Sequence, residues 1–247
     1  KLRLTMLVLM TFGIGYVFAC PRGGAWAPRL WWAMAGTALV AASAAALNQW
    51  IERDVDARMK RTLKRPLPAG RMASGTALAL GLILASAGTM LLWGRVNAMT
   101  ALLGLLTLVT YLMIYTPLKR QTWWNTWIGA VPGAIPPMMG WTAARNHVDA
   151  EAWMLFAVLF LWQMPHFFAI AWICREDYAR AGLKMLPVVE PDGRGAGLQS
   201  VLCAALLIPV SLAPVLIGRA GAVYTAVASA AGVYFLWRAI AFLRVRA

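Results

Sequence analysis

Nine carboxylates occur in 247 residues, and they fall into four tight groups: Glu52/Asp54/Asp56, Asp149/Glu151, Glu176/Asp177 and Glu190/Asp192. On a helix, Asn48, Glu52 and Asp56 are spaced i, i+4, i+8, and at about 100° per residue they stay within about 80° of one another as one polar stripe. Asp54 points away from that stripe, either as a solvated partner of Arg53 or Arg58 or as part of the same site. Seven basic residues accompany the run: Arg53, Arg58, Lys60, Arg61, Lys64, Arg65 and Arg71. Carboxylate oxygens suit a hard divalent cation that bridges to phosphate, and guanidinium forks take the remaining phosphate oxygens in pairs. The mixture therefore suits a magnesium diphosphate. Two plainer readings compete with it: a hydrated helix end with i,i+4 ion pairs, and simple membrane anchoring, the better account of Lys64 and Arg71. Asn48 favours a site, because an amide a turn or two inside an apolar segment is expensive without a partner.

A second constellation runs from Trp162 through Gln163, Met164, Pro165, His166, Phe167 and Phe168 to Arg175-Glu176-Asp177-Tyr178. His166 and Asp177 are eleven residues apart, so a continuous helix would place them on one face about 16 Å apart. An intramembrane histidine is a functional candidate by default. The alternative is a histidine satisfied by a carbonyl that Pro165 leaves exposed, with Gln163 joining the same polar patch. Tyr115-Thr116-Pro117 leads to Lys119 and Arg120, and Asn125 opens a segment crowded with Gly129, Pro132, Gly133, Pro136 and Pro137. Such density marks a broken or tightly packed helix that lines a site, since irregular backbone at membrane depth is tolerated only against protein or a cavity.

These groups must be positioned by membrane helices. The chain is 61% hydrophobic and 13% charged, with a mean hydropathy of +0.66, whereas a soluble domain carries about 25% charge. Eight apolar blocks of about 20 residues, each long enough for a roughly 30 Å hydrocarbon layer, are expected near 4–20, 30–51, 72–94, 98–118, 123–143, 152–173, 198–218 and 222–243. The reading is an all-α, polytopic membrane bundle forming a single domain over 1–247. Its site loops lie near 52–71 and 174–197. Of the 23 Lys and Arg, eighteen fall on the side of the two termini and the even-numbered loops, which the positive-inside rule places in the cytoplasm. That puts the acidic mouths of the second and sixth spans on one side, as one shared site. The net charge of +14 serves orientation and anion handling. No basic soluble module is present to bind nucleic acid.

Cys20, Cys174 and Cys203 show no CxxC spacing and read as buried thiols. An alternative for the start is a lipoprotein signal ending at Cys20, which Phe18 suits poorly. Without an initial Met, the chain is expected to be part of a longer translation product. The 13 Trp residues are expected mostly at the membrane interfaces.

The run Asn48-Gln49-Trp50-Ile51-Glu52-Arg53-Asp54-Val55-Asp56, followed by Met59-Lys60-Arg61-Thr62 and Arg65-Pro66-Leu67, resembles the first Asp-rich motif of the UbiA-type intramembrane prenyltransferase superfamily. Tyr115-Thr116, Ile128-Gly129, Gly133-Ala134-Ile135-Pro136-Pro137, Gly140-Trp141, Pro165-His166-Phe167, Asp177-Tyr178 and Met185-Leu186-Pro187-Val188-Val189 are similar to its haem-farnesylating branch. The resemblance covers nearly the whole chain. It departs at Gln49 and Glu52, where Asp is usual, so position 49 is not expected to bind metal, and at Lys184, where Pro is common. The superfamily has nine spans, so a ninth is expected beyond Ala247.

The resemblance implies Mg2+-dependent transfer of a farnesyl group from farnesyl diphosphate to a vinyl group of haem b, with water addition, giving haem O. Asn48, Glu52, Asp56 and Asp177 would hold Mg2+, or Mn2+, which accepts the same oxygens. Arg61, Arg65, Lys119 and Arg120 would bind diphosphate. Tyr115, Asn125, Tyr178 and His166 would line the acceptor pocket, with haem b as substrate and His166 ligating or orienting it or handling a proton. The implied setting is the bacterial inner membrane, with a haem A synthase or an oxidase-assembly factor as a further partner. Three other readings stay open: a prenyltransferase for a phenolic or quinone precursor, an organic-anion transporter, and a non-catalytic subunit of oxidase assembly.

Overall fold

The computed structural model describes residues 2–20 and 28–246, and these contain helices and no strands. Lys1, residues 21–27 and Ala247 lie outside the described residues, so Lys1 and Arg22 of the charge count are among those not described. The elements are α1 (Leu2–Ala19), α2 (Pro28–Ile51), α3 (Arg53–Asp56), α4 (Ser74–Arg95), α5 (Ala98–Val109), a π-helical turn (Thr110–Tyr115), α6 (Thr116–Leu118), α7 (Asn125–Arg145), α8 (Ala150–Ile173), α9 (Arg175–Arg180), α10 (Leu186–Val189), α11 (Arg194–Leu216) and α12 (Ala222–Arg246). Six are long and apolar enough to cross a membrane: α2, α4, the continuous run Ala98–Leu118, α8, α11 and α12. The expected spans 4–20 and 123–143 correspond to α1 and α7. Both miss that standard, α1 because its apolar stretch, Leu4–Ala19, is short.

α7 departs for a different reason. It is the hub of the bundle, packed by α1, α5 and α8, and its residues from Ala134 to Ala143 are buried. A helix enclosed by other helices need not be apolar towards lipid, so Asn125, Thr126 and Thr142 are accommodated at its buried positions. Despite Pro132, Pro136 and Pro137 it runs unbroken for 21 residues, so the tightly packed alternative is the one realised. Glycines make the packing possible: a Cβ at Gly15 would overlap the carbonyl of Pro137, and one at Gly140 the carbonyl of Phe12, so α1 and α7 touch backbone to backbone. α2 and α4 approach likewise through Gly36 and Gly88. Around these contacts Phe12, Tyr16, Val40, Leu92, Leu108, Ile135 and Met139 form the main core.

Two interruptions shape one end of the bundle. Glu52 leaves helical geometry, with φ −93° and ψ 8°, between α2 and α3. Yet the Glu52 N–H still donates to Asn48 O at 2.9 Å and the Asp56 N–H to Glu52 O at 2.7 Å, preserving the i+4 stripe. Cys174 makes a similar break between α8 and α9, so His166 and Asp177 do not share the continuous helix that the sequence allowed.

Candidate active site

The stripe and the second acidic group meet. The Arg61 backbone N–H donates to Asp177 Oδ2 at 3.4 Å, and the Arg61 guanidinium donates to Tyr178 Oη at 3.2 Å while lying over the same ring. Beneath this contact, Val55 and Met59 pack with Tyr178, Ala181, Leu183 and Met185 as a small separate core. Apolar burial thus fastens the loop after α3 to α9, and the polar groups are presented above it. Partial desolvation opposes the Arg61 charge, but Tyr178, Cys174 and Asp177 outweigh it and hold its pKa above the ordinary arginine value.

Asn48, Glu52 and Lys119 form a buried chain. Asn48 Nδ2 donates to Glu52 Oε2 at 2.7 Å, and Lys119 Nζ donates to Glu52 Oε1 at 2.9 Å. Because its nitrogen faces Glu52, Asn48 turns its oxygen to Thr116, whose Oγ1 lies 3.0 Å away. The same hydroxyl lies 2.8 Å from Tyr111 O, the carbonyl that the π turn also offers to the Thr116 N–H. Pro117, without an N–H and with a ring that crowds the preceding turn, accounts for the widening there. Lys119 Nζ also sits 4.4 Å from the Tyr115 ring centroid, a cation–π contact. Fully buried Asp56 pairs with Arg65, and its backbone carbonyl accepts from Thr62 Oγ1 at 2.7 Å. Asp177 pairs with Arg180.

Among the described residues, no three His, Cys, Asp or Glu side chains converge so as to hold a metal ion. The carboxylates are turned onto cations instead: Glu52 onto Lys119, Asp56 onto Arg65, Asp177 onto Arg180. The donor set nevertheless fits a hard divalent cation, since it consists of carboxylate and amide oxygens. The present partners of its carboxylates are cationic side chains.

Below this polar end lies a cavity of about 380 Å³. Its lining is mostly apolar and comes from α1, α2, the run through the π turn, α7 and α8. Tyr111 and Tyr115 form its roof towards Lys119, while Gln163 and His166 line the α8 wall. Exposed Leu4, Leu7, Trp162 and His166 flank an opening between α1 and α8. His166 stacks on Trp162, with ring centroids 5.6 Å apart.

Not every expected site residue joins this arrangement. Arg120 is exposed and lines a different surface cavity, of about 420 Å³, with Asp54, Arg58 and Gly182. Asn125 donates to Thr122 O at 2.6 Å and to Lys184 O at 3.0 Å, tying the 182–185 segment to α7 rather than lining the cavity. Tyr178 likewise stands at the polar end, outside the cavity lining. Thr116 and Arg180 are contacts of the site that the sequence pattern does not mark. Thr116 carried a usable signal, a hydroxyl one turn before the Lys119 position.

The UbiA prenyltransferase family matches residues 8–247. The chain belongs to that family. Among curated UbiA-family relatives, the protoheme IX farnesyltransferase of Solibacter usitatus is 49% identical over 97% of this chain and 85% of its own length. That of Opitutus terrae is 45% identical over 99% of this chain and 82% of its own. A UbiA homologue from Aeropyrum pernix K1 in its apo state superposes with a TM-score of 0.81 at 19% identity, covering 100% of this chain and 90% of that one. A UbiA homologue from Archaeoglobus fulgidus, bound to DMAPP and Mg2+, gives 0.70 at 16% identity over 99% and 85%. The helical bundle described above is thus the UbiA fold, and the chain is an integral membrane transferase of that family.

Proposed function

We propose that this chain transfers the farnesyl group of farnesyl diphosphate to a vinyl group of haem b, with addition of water, to give haem O. The observation that carries the reading is the Arg61–Asp177 contact, which brings two distant acidic segments together at the end of an apolar cavity. The relatives named protoheme IX farnesyltransferase supply the acceptor.

Asn48, Glu52, Asp56 and Asp177 are the residues that would hold Mg2+, or equally Mn2+. When bound, the metal neutralises charge on the leaving diphosphate. Arg61, Arg65 and Lys119 grip the diphosphate oxygens, while Arg120, facing a separate surface cavity, takes no part. The prenyl chain lies in the apolar cavity, entering through the opening between α1 and α8. Departure of diphosphate creates an allylic cation, and the enclosed walls keep stray water from quenching it. The vinyl group attacks C1 of the farnesyl chain, and water captures the resulting cation beside the porphyrin. His166, on the cavity wall, orients the haem or takes up the released proton.

In this reading the chain works as one domain. α1 and α7 cross the bilayer together with the six more apolar spans, making eight. The excess of Lys and Arg supports a cytoplasmic site in a bacterial inner membrane, with the product passed to a haem A synthase or an oxidase-assembly factor. Membranes carrying the protein, supplied with haem b, farnesyl diphosphate and Mg2+, are expected to form haem O by mass. Absence of that product under these conditions rejects the reading.

A further inference from the structure

Gln163 is buried in α8, and its amide is fixed by the helix it faces. Nε2 donates to the carbonyl of Ala130 at 2.6 Å, and since a carbonyl only accepts, the orientation of the amide is settled. Oε1 is thereby directed over Gly133, where a Cβ would overlap it. Gln163 and Gly133 both line the cavity, and Gly133 is open to it. The glycine leaves a notch in the α7 wall, and an acceptor oxygen projects into that notch. One turn nearer the polar end of α7, Gly129 receives the Tyr115 ring in the same manner. Gln163 Oε1 thus sits about 6 Å deeper than the Tyr115 ring, near which the breaking bond of the prenyl diphosphate would lie. His166, three residues on, lines the same wall.

We infer that Gln163 Oε1, seated in the Gly133 notch, holds on its cavity side the water molecule that ends the reaction. The inference rests on the haem-farnesylating reading. The vinyl electron pair forms the new carbon–carbon bond at farnesyl C1 as the bond to diphosphate breaks, leaving a cation on the vinyl carbon next to the ring. The held water donates one hydrogen bond to Oε1, and its lone pair forms the carbon–oxygen bond. Its second proton passes to the His166 imidazole. Without a placed water the same cation loses a proton from the neighbouring carbon and becomes an alkene, a product lighter by one water.

The test is the ratio of hydroxylated to dehydrated farnesyl haem, which is independent of total rate. Gln163→Met removes the oxygen at similar volume, and Gly133→Ala closes the notch from the opposite helix. In both, the dehydrated share is expected to rise roughly tenfold, the worth of one hydrogen bond to the attacking water. An unchanged ratio in both variants, or loss of both products from both, overturns the inference. The parent protein in heavy-oxygen water separates the two levels. If it makes no farnesylated haem, the underlying reading fails. If it makes labelled haem O while the variants keep its ratio, only the role of Gln163 fails.

Discussion

The amide nitrogen of Arg61 and the carboxylate of Asp177, 116 positions apart in the chain, meet at 3.4 Å. Neither segment alone carries more than three carboxylates. Joined, they place oxygen donors on two sides of the same polar mouth, with basic side chains between them.

Asp56→Asn and Asp177→Asn keep size and an acceptor oxygen but remove charge. Each is expected to lower haem O formation by roughly a hundredfold, the scale on which loss of one group stabilising a developing charge is felt. Product mass spectrometry on purified protein measures this. Turnover at the parent rate in either variant would remove that residue from the metal set.

Metal removal has a binding readout as well. Farnesyl diphosphate with Mg2+ is expected to raise the thermal midpoint of the protein, since a ligand that binds only the folded state stabilises it by mass action. With a chelator present the same concentration should give little shift. An equal shift with and without the metal would mean that the basic residues alone hold the diphosphate.

Glu52 and Lys119 are both nearly buried. Lys119→Met leaves a buried carboxylate without its cation and is expected to destabilise the fold by about 3 kcal/mol. Adding Glu52→Gln should recover much of that loss. Additive losses in unfolding experiments would show that the two groups do not depend on each other.

Two helical glycines make predictions of opposite sign. Gly140→Ala sets a methyl against the Phe12 backbone and is expected to cost about 1–3 kcal/mol. Gly94→Ala, in α4 with open space around it, is expected to gain a fraction of a kcal/mol from helix propensity, up to about 1. Thermal unfolding in detergent distinguishes the two.

Sequence pattern read some of this architecture well and some poorly, for physical reasons that particular residues show. The Asn48–Glu52–Asp56 stripe was legible because backbone hydrogen bonds carry the i+4 register across the irregular Glu52. The end of α8 at Cys174 was not, since hydropathy gives no sign of that break. Lys119 and Arg120 look alike as a basic pair. Side chains one residue apart on a helical turn point about 100° apart, and one is buried on Glu52 while the other faces a different cavity. The span at 123–143 was found as an apolar block, but only the packing of α1, α5 and α8 around it shows why it tolerates Asn125 and Thr142. The Gln163 amide was legible as polar. Its direction depends on a carbonyl from another helix.

The single non-helical residue between α8 and α9 sets a phase. Each residue inserted or deleted at Cys174 would rotate everything after it by about 100° and shift it by about 1.5 Å, swinging Asp177 away from Arg61 while leaving every membrane helix intact. Connections elsewhere on the surface can vary in length at modest entropic cost. This joint cannot, so shuffling segments among such chains is possible only with the residue count between Pro165 and Tyr178 held fixed.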